Sequence, residues 1–245
     1  MKSEGKKKVA FYWNMAMILV MVALVAAVVW LAVRAKKTEA KDYYRNKCFS
    51  YSIQNVNLAK GQIVFVGDSI TDLYVLDDHY GSLQRACYNR GIGGDTTSGV
   101  LERLQVSIFD LQPSTVVLMI GTNDIDGGQA LEDILDRYQQ IVEKITKELP
   151  QTKLYCVSVI PQNKQLEEYT DLDVDLNTQK ILELNPKIKQ LAQKAGGVYI
   201  DLFPLLADEQ NYLLQAYSDD GIHLNEKGLK VWTEQMLPLL QAEET

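Results

Sequence analysis

A serine that attacks a carbonyl near neutral pH needs a base beside it. The 245-residue chain holds only two histidines to supply one, His79 and His223. His223 follows Asp220 by three residues, across a glycine, in Asp219-Asp220-Gly221-Ile222-His223. On a turn, that spacing lets a carboxylate hold the imidazole Nδ1–H, fix its tautomer and stabilise the imidazolium. Asp219 is the second candidate for that role. His79 sits in Asp77-Asp78-His79-Tyr80 with no glycine-marked loop around it, which reads as a solvated surface position. Ser69 is the candidate nucleophile, in Gly67-Asp68-Ser69-Ile70-Thr71 directly after the apolar run Ile63–Val66. Taken alone it reads as a helix N-cap, with Asp68 and Thr71 as rivals for that role.

Two more polar loops follow apolar runs: Asn89-Arg90-Gly91-Ile92-Gly93-Gly94-Asp95 and Gly121-Thr122-Asn123-Asp124. The first misses the dinucleotide fingerprint because Thr96 stands where the last glycine belongs, and no G-K-[ST] follows to make a phosphate loop. By itself it reads as a tight turn, and Asn123 as a helix cap. Asp171-Leu172-Asp173-Val174-Asp175 opens like a calcium loop. It has Leu176 at position six and Leu182 at position twelve, where glycine and glutamate belong, so it reads as a solvated loop or helix start. No H-E-x-x-H is present and no histidine is left over for zinc, so the expectation is neither metal nor cofactor.

The elements that must carry these loops form an alternating series. Ile63–Val66, Ala86–Asn89, Thr115–Ile120, Lys153–Val159 and Val198–Asp201 read as strands, the apolar ones buried on both faces. Helical stretches run from Thr97 towards Ser107, over Ala130–Leu149 up to Pro150, over Leu176–Ala195 before Gly196-Gly197, and from about Glu226 to Leu240. The series predicts an α/β fold of three layers, α, β and α, with a five-stranded parallel sheet. In such sheets ligands bind at the carboxyl ends of the strands, where the polar loops lie.

The serine, aspartate and histidine follow the chain order of α/β-hydrolases, but the nucleophile elbow G-x-S-x-G is missing. Taken together, GDSIT, NRGIGGDTT, GTNDI and the Asp220–His223 block resemble the SGNH (GDSL) hydrolase family, over about Gln62 to Trp232. The resemblance implies a flavodoxin-like sheet with Ser69 as nucleophile, His223 as general base and acid, and Asp220 as its orienter. It implies an oxyanion hole made of the Ser69 N–H, the Gly94 N–H and the Asn123 side-chain amide, with Gly93 as neighbouring candidate for the second. The wording is similar to the platelet-activating-factor-acetylhydrolase-like and carbohydrate-acetylesterase branches, which implies short acyl esters as substrates.

The first forty residues differ from the rest. Between Met15 and Val33 the run of Ala, Val, Ile, Leu, Met and Trp is unbroken, long enough to cross a bilayer at roughly 1.5 Å per residue. The expected organisation is a basic tail over 1–8, a transmembrane helix over 9–33, a polar stalk over 34–60 and a hydrolase domain over 61–245. Trp13 and Trp30 sit near the two ends of the run, as interfacial aromatics do. Lysines crowd its start, which predicts a single-pass protein of the cell membrane with the short tail inside and the domain outside. Of 25 basic and 32 acidic residues, eight and two precede Asp42, leaving 17 against 30 and a net charge of −13 on residues 42–245. That domain repels phosphate backbones, so nucleic acid is not an expected partner. Cys48, Cys87 and Cys156 show no C-x-x-C pairing, and the last two fall in strands as small hydrophobes.

The expectation is therefore an anchored esterase that forms an acyl-serine and cleaves small-molecule or glycan esters, acetyl above all. A lipid esterase or lysophospholipase, an O-acetyltransferase acting on polysaccharide, and a non-catalytic glycan-binding domain are the alternatives.

Overall fold

The structure, a computed structural model, describes residues 2–166 and 172–244. The chain divides into two compact units, residues 1–46 and 47–245. One long helix, α1 (Lys2–Gln54), supplies the first unit and the opening of the second. From Met17 to Val33 its side chains are all exposed, and by length and composition the helix over Trp13–Gln54 is long and apolar enough to cross a membrane. Residues 47–60, which the sequence assigns to a stalk, belong to the second unit.

After α1 come β1 (Ile63–Gly67), α2 (Ser69–Asp72), α3 (Leu76–Tyr80), β2 (Cys87–Gly91), α4 (Thr97–Glu102), α5 (Leu104–Ser107) and β3 (Thr115–Met119). They are followed by α6 (Thr122–Asp126), α7 (Leu131–Glu148), β4 (Lys153–Val157), α8 (Val174–Lys194), β5 (Val198–Ile200), α9 (Phe203–Leu206) and α10 (Glu226–Ala242). The five strands form one parallel sheet in the order β2-β1-β3-β4-β5. The chain starts in the middle of the sheet, moves outward to β2, and returns to the other side of β1 with β3. That reversal leaves a crevice beyond the carboxyl ends of β1 and β3.

Alternation along each strand sorts the core. Val64, Val66, Val116, Leu118, Leu154 and Cys156 share one face with α4, α5, α7 and α8. Ile63, Phe65, Val117, Met119, Tyr155 and Val157 share the other with α2, α3 and α10. The register keeps the two sets apart, since Val64 pairs with Val116 and Phe65 with Val117. Helix α7 shows why it packs here: Ile134, Tyr138, Ile141, Val142 and Ile145 recur at three- and four-residue steps and are all buried. On the opposite face Trp232 is fully buried against Tyr74, with ring centroids 4.9 Å apart.

Several boundaries differ from the sequence reading. The helix expected from Thr97 towards Ser107 is two helices, broken at Arg103, whose φ and ψ of −105° and 12° leave the helical region. The second strand is Cys87–Gly91 rather than Ala86–Asn89, and Cys87 is half-buried while Cys156 is buried. Helix α8 starts at Val174, two residues early, because the Asp173 carboxylate accepts the Leu176 N–H at 3.1 Å and caps it. Asp173 is thus a helix cap, while Asp171 lies outside the described residues.

Candidate active site

The loop after β1 holds Ser69 by two local constraints. A Cβ at Gly67 would lie 2.2 Å from Thr71 Oγ1 and 2.3 Å from the Met119 carbonyl, so only glycine lets β1 turn this close to β3. Asp68 then caps α2 by accepting the Ile70 N–H at 3.0 Å, which starts the helix at Ser69 itself. The Asp68 side chain is fully buried, and its Oδ2 has no partner among the described residues. Burial pushes this carboxyl up to about 7; the Ile70 bond opposes the rise and the charges of Asp95, Asp124 and Asp126 add to it.

Ser69 Oγ lies 2.8 Å from His223 Nε2, and His223 Nδ1 lies 2.6 Å from Asp220 Oδ2. The other oxygen of Asp220 accepts the backbone N–H groups of Ile222 and His223 at 2.9 and 2.8 Å. Burial raises the Asp220 pKa, but the bonds from the His223 ring and the two backbone N–H groups outweigh it, and the net result lies below the usual carboxylate range. The loop that presents this pair is itself fastened. Ser218 Oγ accepts the Gly221 N–H at 2.8 Å, and the Asn163 N–H donates to the Gly221 carbonyl at 2.8 Å. Gly221 has φ +86°, and a Cβ there would lie 2.4 Å from the Asn163 carbonyl. Asp219, the second candidate orienter, instead accepts from Asn225 Nδ2 at 3.3 Å, so the structure separates it from the imidazole.

The expected donors come from the neighbouring loops. Gly94 has φ +75°, and neither its N–H nor that of Ser69 has an acceptor among the described residues. The Gly93 N–H donates to Asp72 Oδ2 at 3.1 Å, which favours Gly94 over its neighbour as the donor. Asn123 follows β3 and sends one amide hydrogen to the Asp95 carbonyl at 2.9 Å, fastening it to the Gly94 loop. It does not cap α6, whose N-cap is Gly121.

His79 is a correction. Its side chain is only 7% exposed, with Nδ1 2.9 Å from Thr233 Oγ1 and its ring 4.8 Å from that of Tyr74. The acidic neighbours in sequence pointed to the surface, but α10 covers it from 154 residues away. A buried polar layer, not evident from the motifs, also lies behind the loops. Asp124, with no exposure, accepts the Thr97 N–H at 2.8 Å and the Thr97 hydroxyl at 2.6 Å, and pairs with Arg137. Arg103 is buried against Asp95 at 2.7 Å. The available signal was an arginine on the apolar stripe of Val100, Leu104 and Ile108. Among the described residues, no group of three or more His, Cys, Asp and Glu side chains is arranged to hold a metal ion.

The arrangement has a definite chemical capacity. An imidazole bonded at both nitrogens, to a hydroxyl and to an ionised carboxylate, can take the hydroxyl proton and return it to a leaving group.

The sequence model of the GDSL-like Lipase/Acylhydrolase family matches residues 65–231. The platelet-activating factor acetylhydrolase IB subunit alpha2 of Gallus gallus is 28% identical over 144 residues, which cover 57% of this chain and 62% of that protein. The chain therefore spans about three fifths of the length of this relative. A solved Streptococcus pneumonia protein, assigned provisionally as a platelet activating factor, is 27% identical with a TM-score of 0.78, over 86% of this chain and 98% of its own. A variant of an acetyl-xylooligosaccharide esterase from Geobacillus shares the fold, at 18% identity and a TM-score of 0.57, over 75% of this chain and 95% of its own. The stretch matched by the family model is more than half of the chain and takes in Ser69, Gly94, Asn123, Asp220 and His223. The chain belongs to the GDSL-like lipase/acylhydrolase family.

Proposed function

We propose that the protein is a membrane-anchored serine esterase that cleaves acetyl and other short acyl esters, with O-acetylated glycans as its substrates. The observation that carries this reading is the unbroken line from Asp220 through His223 to Ser69, with contacts of 2.6 and 2.8 Å. His223 Nε2 takes the Ser69 proton as Oγ attacks the ester carbonyl. The resulting oxyanion is met by the N–H groups of Ser69 and Gly94 and by the Asn123 amide. His223 then gives its proton to the leaving alcohol, which departs and leaves acyl-Ser69. Water, deprotonated by the same imidazole, releases the acid and restores the hydroxyl. Asp220 holds the ring and stabilises its charged form.

Acetyl is favoured as the acyl group because the names of the avian relative and of the Geobacillus enzyme both specify it. The glycan reading is supported by the second of these names and by the net charge of −13 on residues 42–245, which disfavours anionic lipid as a surface to dock on. The apolar stretch of α1 serves as the anchor, with the acidic domain outside the cell.

The test uses the full chain in detergent with p-nitrophenyl acetate, butyrate and octanoate. Expected are turnover that falls with chain length and losses of ~10³-fold or more in Ser69→Ala and in His223→Ala, with little further loss in the double variant because the two act as a unit. Preference for octanoate would turn the substrate reading to lipids. No turnover by folded protein, or losses that multiply, would overturn the mechanism.

A further inference from the structure

The Arg103 side chain is 1% exposed, yet its guanidinium meets four acceptors. Nε donates to Asp95 Oδ2 at 2.7 Å, Nη1 to the Arg90 carbonyl at 2.7 Å and to Ser107 Oγ at 2.8 Å, and Nη2 to the Gly67 carbonyl at 3.0 Å. Desolvating a guanidinium is costly, and an apolar side chain of similar volume is often no worse for stability. Val100, Leu104 and Ile108 on the same side form just such a core. Packing alone therefore does not account for an arginine here, and its acceptors do.

Three of the four acceptors belong to segments that bear on the proposed oxyanion hole; the fourth, Ser107, ends α5, one turn on from Arg103. Gly67 ends β1, two residues before Ser69. Arg90 stands near the end of β2, where the glycine-rich loop begins. Asp95 directly follows Gly94, and its carbonyl holds Asn123 Nδ2 at 2.9 Å. The fork thus spans the nucleophile strand, the Gly94 loop and, through one further bond, the Asn123 amide. The geometry points to Arg103 as a positioning residue that sets the spacing between the nucleophile and the three oxyanion donors. It touches no substrate itself. A planar guanidinium offers five N–H donors in a fixed fork that reaches acceptors on separate segments, whereas the compact ammonium of lysine offers three from a single atom. This inference rests on the esterase reading.

The test takes the full chain in detergent, with active sites counted by stoichiometric phosphonylation, and compares wild type with Arg103→Lys. Expected is a fall in kcat of ~10–100-fold, because misplacement of reacting groups by ~1 Å can cost ~10²-fold. KM for p-nitrophenyl acetate should stay within ~3-fold, since the donors act on the transition state rather than on the bound ester. Affinity for a trifluoromethyl ketone, whose adduct places an oxyanion on the same donors, should fall by the same factor as kcat/KM. Asn123→Ala alone should cost ~10²–10³-fold. Combined with Arg103→Lys, the total loss should be smaller than the product of the two, because both disturb one donor set. Should Arg103→Lys fail to fold, Asp95→Asn weakens the same clamp from the other side and carries the same expectations. A variant that melts earlier but keeps wild-type kcat per counted site and wild-type ketone affinity would reduce Arg103 to a structural residue and overturn the inference, as would losses that multiply. If wild type turns over none of the esters, the esterase reading falls and this inference with it. Active wild type beside unchanged variants sinks the Arg103 role alone.

Discussion

Asp68 shows what a side chain accepts when it stands next to the proposed nucleophile. Its carboxyl is fully buried and pushed up to about 7, whereas in an unfolded chain it titrates near ~3.9. Between those values the folded state holds a proton that the unfolded state has released. Stability from this group is therefore present below about pH 4 and is lost as the pH rises through 7. Asp68→Asn keeps an Oδ1 to accept the Ile70 N–H and cannot ionise. In urea unfolding of residues 42–245, wild type should lose up to about 4 kcal/mol more than Asp68→Asn between pH 4 and pH 8. Equal losses would show that the carboxyl ionises in the fold without penalty. At this scale the sequence is informative where partners are close along the chain. Asp220 and His223 lie on one turn, and glycine marks it. It is silent where partners are distant: His79 looks solvated beside two aspartates, until Thr233 and Tyr74 are packed against it.

Among the elements, the carboxyl-terminal part of α1 is the least expected. Tyr51 is 5% exposed and its hydroxyl donates to the Gly91 carbonyl at 2.5 Å. The Arg90 guanidinium stacks 4.5 Å above the same ring and donates to Asn55 Oδ1 at 3.0 Å, while Asn55 Nδ2 donates to the Val106 carbonyl at 2.7 Å. This segment braces β2 at the point where the glycine-rich loop leaves it. Tyr51→Phe should lower stability by about 1–2 kcal/mol, the cost of a buried bond lost with its acceptor left unpaired. Tyr51→Ala should cost about 3 kcal/mol or more through the added cavity. Chemical denaturation of residues 42–245 measures both, and a silent Tyr51→Phe would mean that water replaces the hydroxyl. The strands and the long helices α7 and α10 are legible from apolar runs and from periodicity. The brace is not, because Tyr51, Asn55 and the lysines around them spell an ordinary polar segment until Gly91 and Arg90 face them. The break between α4 and α5 is hidden for a similar reason. Arg103 suits a helix by propensity, and the acceptors that draw it inward come from three other segments.

For the whole molecule, the contrast between an exposed apolar stretch and an acidic domain decides how it partitions. The full chain should pellet with membranes and resist extraction at alkaline pH, whereas residues 42–245 should stay in the supernatant. A full chain released by carbonate would remove the anchor from the proposed function. The sheet order joins the loops after β1, β2 and β3 with the loop before α10, so the sequence-level order of elements already brings the polar blocks together. What it leaves open is how far apart in time they meet. Ser69 and His223 bond across 154 residues. At ribosomal speeds of roughly 5–20 residues per second, Ser69 leaves the ribosome roughly 8–30 s before His223 does. Throughout that interval the hydroxyl is an ordinary alcohol. The proposed Ser69–His223 pair is therefore completed only when the last part of the chain has been made.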